Sequence, residues 1–476
     1  MAPVPKLIVL LLGGILAGCA VPRVGPDYQT PQAELPAVWT ATLPDASANA
    51  SDATALARWW TQFDDPALDR LVGEALSQGL DVRLAQARVQ QARASRQLAE
   101  AGLFPTVAAS AGGTRSKTSQ AVAAVPTRTL YDAGFDASWE LDLFGGTRRG
   151  IEAAQADVAA SQASLEQVRV TLVAEVARNY VDLRAAQQRI RIARDNLASQ
   201  RETLQITEWR YQAGLARASE VEQARTAEAQ TRAGIPDLEI DLVAAQNRLA
   251  VLLGRAPGSL HDQLAAVKPL PALPTQLATG IPADVLRQRP DIVAAERTLA
   301  AETARVGQKL AQRFPSLSLS ASFGWQAYST AALGGAANAA RALGATLATT
   351  LFDGGRLRSQ VDVQSAVQEQ ALVAYQSTVL TALEEVENAL KSHAAARQRF
   401  TARQAAAEAA RNAADLSRKL YQAGLADFQQ VLETQRTQLS AEDSLATADA
   451  SLRTSLISLY KALGGGWDAA ARNGTS

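Results

Sequence analysis

The stretch YQAGLA occupies residues Tyr211 to Ala216 and returns letter for letter at Tyr421 to Ala426, 210 residues later. Each copy interrupts a long helix-favouring run with one glycine, and glycine readily takes the positive φ at which a helix ends. Each copy therefore predicts the turn of a helical hairpin.

The rest of the chain repeats with this turn. Phe104-Pro105 recurs as Phe314-Pro315, and LFGG from Leu143 recurs as LFDGG from Leu351. Self-similarity at one nearly fixed offset indicates a duplicated unit. Length alone would suggest two or three domains in 476 residues. The repeats instead predict one interwoven fold made of two copies.

Composition argues against a nucleic-acid partner and against a thick aromatic core. The 47 Lys and Arg residues balance the 47 Asp and Glu residues, so net charge does not draw the chain to nucleic acid. Aromatic residues make up 5% of the chain, which is typical of long helices.

The single cysteine, Cys19, follows Lys6 and a short apolar run from Leu7 to Leu16. This order is that of a secretory signal, and the run is too short to span a membrane. The string LAGC at its end resembles the bacterial lipoprotein signal. That resemblance implies a signal peptide over 1–18, acylation of Cys19 with a fatty acid such as palmitate and, because Ala20 follows, sorting to the outer membrane.

Four segments alternate apolar and polar residues with the period of two that predicts strands. The clearest is 131–143, where Tyr131, Phe135 and Trp139 share one face. The others are 106–114, 317–327 and 343–351. Each run has roughly the 9 to 11 residues of a tilted membrane strand. We predict two β-hairpins with exposed loops near 116–127 and 329–340.

A soluble sandwich would alternate in the same way, but two features favour a membrane barrel. Aromatic residues near the strand ends would form an interfacial girdle. The opposite face is polar where a sandwich would need a core, and it carries Asp132, Asp136, Glu140 and Asp142. We expect these four acids to line a pore, in which a symmetric acidic ring would favour cations.

Four strands cannot close a membrane barrel, whose smallest forms have about eight strands, and lipid does not tolerate open sheet edges. Copies of the chain must therefore share one barrel. Two, three or four copies all satisfy this requirement.

Two long helical hairpins are predicted between the β-hairpins. Leu183, Ile190, Leu197 and Leu204 recur every seven residues, which indicates a coiled-coil seam. One helix over 151–211 would be roughly 90 Å long. Pro236 has no counterpart in the second copy, so we expect the two hairpins to bend differently.

The predicted fold class is an α+β membrane protein with an internally duplicated protomer. Trp59, Trp60 and Phe63 are predicted as buried anchors of an extended N-terminal arm. The predicted parts are the signal peptide (1–18), the arm (19–66), a first repeat (67–255, with β-hairpin 103–143 and tip 211–216), a proline-rich linker (256–282), a second repeat (283–463, with β-hairpin 314–353 and tip 421–426) and a tail (464–476).

Taken in order, the motifs resemble the outer-membrane factors of tripartite efflux pumps, of the TolC and OprM type, in the NodT-like lipoprotein branch. Besides LAGC and both YQAGLA copies, the matching strings are GPDYQTP from Gly25, RWWTQFDDPALDRLV from Arg58, SWELDLFG from Ser138, IPDLE from Ile235, RPDI from Arg289, FPSLSLSASFG from Phe314 and LFDGG from Leu351. The resemblance implies a homotrimer with a twelve-stranded barrel in outer-membrane lipid and a helical α-barrel across the periplasm. It also implies two partners, a periplasmic adaptor (membrane fusion) protein and an inner-membrane RND-type transporter.

The resemblance further assigns roles near the hairpin tips. Gly214-Leu215 and Gly424-Leu425 match a tip motif that adaptors contact, whereas the residues alone indicate only turn-forming glycines. Glu433 and Gln429 match positions that narrow the closed periplasmic mouth. Without the resemblance, Glu433 would be interpreted as an ordinary solvated residue of the helix. Both interpretations, gate residue and solvated residue, stay open.

The predicted function is a passive exit duct for small molecules such as drugs, with a role in multidrug resistance. No enzyme is predicted, because His261 and His393 lack metal-ligand spacing and no GxSxG motif or phosphate-binding glycine loop occurs. No cofactor or metal is expected. Two alternatives stay open, an outlet channel of a type I protein secretion system and a passive coiled-coil stalk such as an adhesin.

Overall fold

A computed structural model describes residues 23–31, 39–40, 46–47, 56–117, 126–274, 277–278 and 289–467. The predicted signal peptide, Cys19, half of the predicted arm and the end of the tail lie outside these ranges. So do residues 275–276 and 279–282 of the predicted linker, residues 283–288 of the predicted second repeat and residues 118–125 of the first predicted outer loop.

The order helix, two strands, long helix and shorter helix occurs twice in the described residues. The helices are α1 (Pro66–Gln78), α2 (Leu80–Ala101), α3 (Gly146–Gln212), α4 (Ala218–Leu252), α5 (His261–Leu264), α6 (Pro290–Ala311), α7 (Arg356–Gln422) and α8 (Phe428–Ala462). The strands are β1 (Ala46–Ser47), β2 (Thr106–Ser116), β3 (Arg128–Leu141), β4 (Leu277–Ala278), β5 (Ser316–Ala327) and β6 (Ala339–Ala348). Short 3₁₀ turns cover Trp59–Phe63, Thr330–Ala332 and Ala336–Asn338.

Four of the strands form an antiparallel sheet in the order β2-β3-β5-β6. The register aligns apolar residues with apolar residues, since Phe135 lies opposite Ala109 on one side and Phe323 on the other. Polar residues align as well, as Asp136 opposite Ser322 shows. Within the described residues, β2 and β6 each have one edge without a partner strand. The two remaining strands, β1 and β4, form a separate parallel pair.

The two repeats produce helices of equal length. Helices α3 and α7 have 67 residues each, and α4 and α8 have 35 each. At 1.5 Å per residue, the longer helices extend about 100 Å. Helix α4 continues through Pro236. The α+β class with an internally duplicated protomer is confirmed.

The predicted ends of three elements need correction. We expected a helix from residue 151 and strands over 131–143 and 343–351, but α3 begins at Gly146, β3 is Arg128–Leu141 and β6 is Ala339–Ala348. The cause is a pair of aspartates that cap the following helices. Asp353 accepts hydrogen bonds from the backbone N–H groups of Gly355 and Leu357, both at 2.9 Å, so the chain leaves the sheet early to begin α7.

The described residues divide between two compact units. One, here the sheet unit, comprises Met1–Gln32, Arg88–Gln162 and Ala294–Gln376, and the other, the hairpin unit, comprises Ala33–Ala87, Ala163–Val293 and Ser377–Ser476. None of the helices in the described ranges has an apolar stretch suited to crossing a membrane.

The core of the hairpin unit contains the aromatic residues that the sequence predicts as buried anchors. Trp59, Trp60 and Phe63 are buried, and Trp59 stacks on Tyr460 with ring centroids 5.1 Å apart. A Cβ at Gly465 would lie 2.9 Å from the Trp59 ring, so only glycine fits there. Residues near the beginning of the chain are thereby packed against residues near its end.

The GPDYQTP segment packs tightly within the sheet unit. Gly25 lies so close to Gly307 that a Cβ on Gly25 would be 2.4 Å from the Gly307 Cα. Arg149 is 1% exposed and donates hydrogen bonds to the carbonyl oxygens of Val24 and Gly25 at 3.1 and 3.2 Å. Its guanidinium also pairs with Asp27 at 2.7 Å. A buried cation therefore holds this segment in place.

Candidate functional site

Each helical hairpin turns at a glycine with left-handed backbone conformation. The φ angle is +74° at Gly214 and +78° at Gly424, and a Cβ at either residue would meet nothing within 4 Å. The next N–H closes the helix end in both tips, from Leu215 to the Arg210 oxygen at 2.7 Å and from Leu425 to the Leu420 oxygen at 2.8 Å. Backbone conformation, rather than crowding, therefore requires these glycines.

A leucine is exposed beside each turn glycine. Leu215 is 70% exposed and Leu425 is 76% exposed. One exposed leucine needs no explanation, but two at equivalent places give each tip an apolar contact point.

The two tips are joined by contacts to Tyr421, whose partners the repeated string does not predict. Arg210 donates to the Tyr421 carbonyl oxygen at 2.8 Å, and its guanidinium carbon lies 4.6 Å from the Tyr421 ring centroid. The hydroxyl groups of Thr207 and Tyr421 are 3.2 Å apart and buried. Tyr421 is consequently 2% exposed, whereas its repeat counterpart Tyr211 is 49% exposed. One difference between the repeats hints at this asymmetry: Arg210 precedes the first YQAGLA copy, whereas the equivalent position before the second copy is Leu420.

The residues predicted to narrow the mouth lie one helical turn apart near the start of α8. Gln429 and Glu433 are both exposed. Gln429 donates from its side-chain amide to the Gln223 side-chain oxygen at 2.6 Å, which links α8 to α4. Asp427 accepts the Gln430 N–H at 2.8 Å and caps α8. The structure thus ties Gln429 to the other hairpin and leaves the Glu433 carboxylate facing outward.

Further along the hairpins, α3 and α8 meet through polar side chains. Arg189 pairs with Asp443 at 2.6 Å, and this contact raises the Arg189 pKa, which keeps the guanidinium charged. Asn196 donates to the buried Glu442 at 3.0 Å, and Arg411 of α7 reaches the same carboxylate at 2.9 Å. These contacts join helices from different repeats.

His393 lies in the helical seam, as the heptad pattern predicts. It is buried, and its Nδ1 is 3.0 Å from the Ser455 hydroxyl. Burial, together with the nearby Arg397, lowers the pKa of His393 to about 4. The ring is therefore neutral at neutral pH. Over the described part of the chain, no group of three or more His, Cys, Asp or Glu residues is arranged to hold a metal ion.

Three of the four predicted pore acids share one face of the sheet. Asp132, Asp136 and Glu140 are spaced four residues apart along β3, so they lie on the same face. The Ser110 hydroxyl donates a hydrogen bond to the Asp136 carboxylate at 3.4 Å. Asp142 lies beyond the end of β3. Its carboxylate oxygens accept the Thr147 and Arg148 N–H groups at 3.1 and 2.9 Å, so it caps α3.

The chain combines a sheet that has a mainly apolar and a polar face with two long helical hairpins. This combination defines a class of channel protomers whose sheets join to form one barrel. The family model described as "Outer membrane efflux protein" matches residues 71–255 and 281–465, stretches that begin 210 residues apart. The chain belongs to the outer membrane efflux protein family.

Individual relatives agree with this assignment. The pyoverdine export outer membrane protein OpmQ of Pseudomonas aeruginosa is 36% identical over 430 residues, covering 88% of this chain and 90% of OpmQ. Nodulation protein T of Rhizobium leguminosarum bv. trifolii is 32% identical, with 97% of each chain covered. The solved outer-membrane channel OprN superposes with a TM-score of 0.86 at 37% identity, covering 94% of this chain and 100% of OprN.

Proposed function

We propose that this protein is the outer-membrane exit duct of a tripartite efflux pump, held by a lipid on Cys19 and extending into the periplasm. It passively conducts small molecules, including drugs, that a periplasmic adaptor and an inner-membrane RND-type transporter deliver. The observation that carries the proposal is the four-stranded sheet, which has a mainly apolar face and an acidic face and in which, among the described residues, β2 and β6 each have an unpaired edge. A sheet of this kind is suited to lipid on one face and water on the other.

Closure of the sheet requires several chains. Each chain contributes β2, β3, β5 and β6, and three copies would give twelve strands in a closed barrel, as the family resemblance implies. Asp132, Asp136 and Glu140 would then line the lumen in three copies and disfavour anions at close range. Asp142 is left out of this lining because it caps α3.

The proposed channel is not an enzyme, and its cargo is set by the pump. The names of the relatives refer to different processes, pyoverdine export and nodulation, which agrees with a duct that does not select. The same fold could serve a protein secretion system. Drug and dye sensitivity of a deletion strain would support efflux, whereas loss of a secreted protein would support the alternative.

Native mass spectrometry of the mature, detergent-solubilised protein tests the assembly. We expect a complex of three chains, each carrying acyl groups on Cys19, because the sheet edges close only in an oligomer. A stable monomer that is soluble without detergent and carries no lipid would contradict both the shared barrel and the anchor.

The substitution Glu433→Ala tests whether Glu433 narrows the closed periplasmic mouth of the channel. Loss of a ring of carboxylates should raise the resting conductance in planar bilayers about fivefold, which corresponds to about 1 kcal/mol of barrier. Glu408→Ala is the matched control, because Glu408 is also an exposed glutamate on a long helix. Unchanged conductance in Glu433→Ala, or an equal rise in the control, would exclude Glu433 from the gate.

A further inference from the structure

The apolar face of the sheet carries two arginines. This face contains Phe135 and the residues aligned with it by strand pairing and alternation. Arg341 of β6 lies directly opposite Phe323, and Arg115 of β2 shares the face with Ala109. All acidic residues of the described strands, Asp132, Asp136 and Glu140, fall on the opposite face.

Neither arginine has an acidic partner on its own face. Both side chains are exposed, and no ion pair or side-chain hydrogen bond joins either one to another described residue. A neighbouring copy would not supply the missing charge, because both edge strands, TVAASAGGTRS in β2 and AARALGATLA in β6, contain no Asp or Glu. The counter-charge must come from outside the sheet.

The arginines lie toward one end of the face. At the end of the sheet next to the helices, the residue pairs on this face are apolar: Leu317 lies opposite Leu347, and Leu319 lies opposite Ala345. Arg341 and Arg115 lie toward the loops that join β2 to β3 and β5 to β6. At the same end, Arg128 falls on the opposite face, because it lies four residues before Asp132 in β3. Both arginines of the apolar face thus lie at its loop end.

In a membrane this distribution favours an anion at the loop end. An arginine facing lipid costs about 2–4 kcal/mol at the bilayer midplane and about 0–1 kcal/mol near the interface. Its long side chain can carry the guanidinium toward the headgroups. Phosphate is a partner that a guanidinium binds with two parallel hydrogen bonds.

We propose that Arg115 and Arg341 bind the phosphates of anionic lipid headgroups in the leaflet at the loop end of the sheet. The proposal rests on the membrane placement of the sheet under the proposed function. It adds a lipid preference confined to one leaflet, which neither the barrel nor the efflux role requires.

The test uses the full-length complex in detergent, with two probe lipids offered in equal amounts. The first is lipid A, which has two phosphates, and the second is an uncharged glycosyl diacylglycerol. Native mass spectrometry then counts the lipids that each complex retains. We expect the wild-type protein to prefer lipid A, and the Arg115→Gln/Arg341→Gln double variant to lose that preference about tenfold.

Arg313→Gln is the matched control, since Arg313 is an exposed arginine of the sheet unit outside the strands. Equal lipid A retention by wild type and double variant, or an equal loss in the control, would overturn the proposal. Displacement of lipid A by millimolar inorganic pyrophosphate without detergent exchange would assign the arginines to free anions and would also overturn it.

The same spectra separate this inference from the proposed function. A trimer without lipid A preference refutes only the headgroup site. A protein that forms no oligomer refutes the shared barrel, and the headgroup site is refuted with it.

Discussion

Replacement of Gly424 by tryptophan is expected to abolish adaptor-dependent efflux while the channel still reaches the membrane and assembles. Gly424 lies at a turn where a Cβ would meet no atom within 4 Å, so a large side chain would project outward beside Leu425. A bulky group there would keep a docking partner away from both residues. Loss of a contact worth about 2 kcal/mol weakens binding about 30-fold.

Gly258→Trp is the control for this experiment. Gly258 also has positive φ, at +86°, and open space around its missing side chain, but it follows α4 far from the tips in sequence. Both variants therefore introduce the same ring and a comparable backbone strain. Susceptibility to pump substrates should rise only in Gly424→Trp at equal channel abundance. Normal efflux in that variant would argue against docking at the tip.

The second large effect is expected from Gly324→Ala in the centre of the sheet. Gly324 pairs with Gly134, and a Cβ at Gly324 would lie 2.6 Å from the Ala133 carbonyl oxygen and 2.7 Å from the Gly134 Cα. Because both obstacles are backbone atoms, relief requires β3 and β5 to separate. Overpacking of this kind costs about 1–3 kcal/mol in each protomer.

Gly344→Ala provides the comparison within the same sheet. Its new Cβ would meet only the Ser320 hydroxyl oxygen at 2.9 Å, and that side chain can rotate away. We expect a lower thermal midpoint of the assembled complex, or a smaller assembled fraction, for Gly324→Ala than for Gly344→Ala. Equal stability of the two variants would show that the strands can separate without loss.

The elements with a strong period were predictable from the sequence, and their ends were not. Alternation identified all four long strands, and the repeated glycine located both hairpin tips. The start of α3 was missed because it depends on Asp142, which looked like one more member of an acidic strand face but caps a helix. Periodicity assigns a residue to a face and contains no information about which backbone N–H it accepts.

The sequence also did not predict that the two YQAGLA copies have different environments. Tyr211 and Tyr421 stand in identical strings, yet only Tyr421 is buried. The difference arises from a contact across more than 200 residues, in which Arg210 and Thr207 reach the second tip. A duplication predicts equal local structure, but the partners of each copy are set by tertiary packing.

The packing of Gly25 against Gly307, with Arg149 beside it, fixes the point from which the proposed lipid anchor on Cys19 would extend. Arg23, where the described chain begins, follows Cys19 by four positions, and an extended chain covers at most about 14 Å over that distance. An acyl group on Cys19 would therefore stay within a short radius of the sheet unit and would meet it at high effective concentration. An epitope inserted between residues 19 and 23 would lengthen the segment between the lipid and the sheet unit. We expect the protein to fold as before, with the lipid held less closely to the sheet unit.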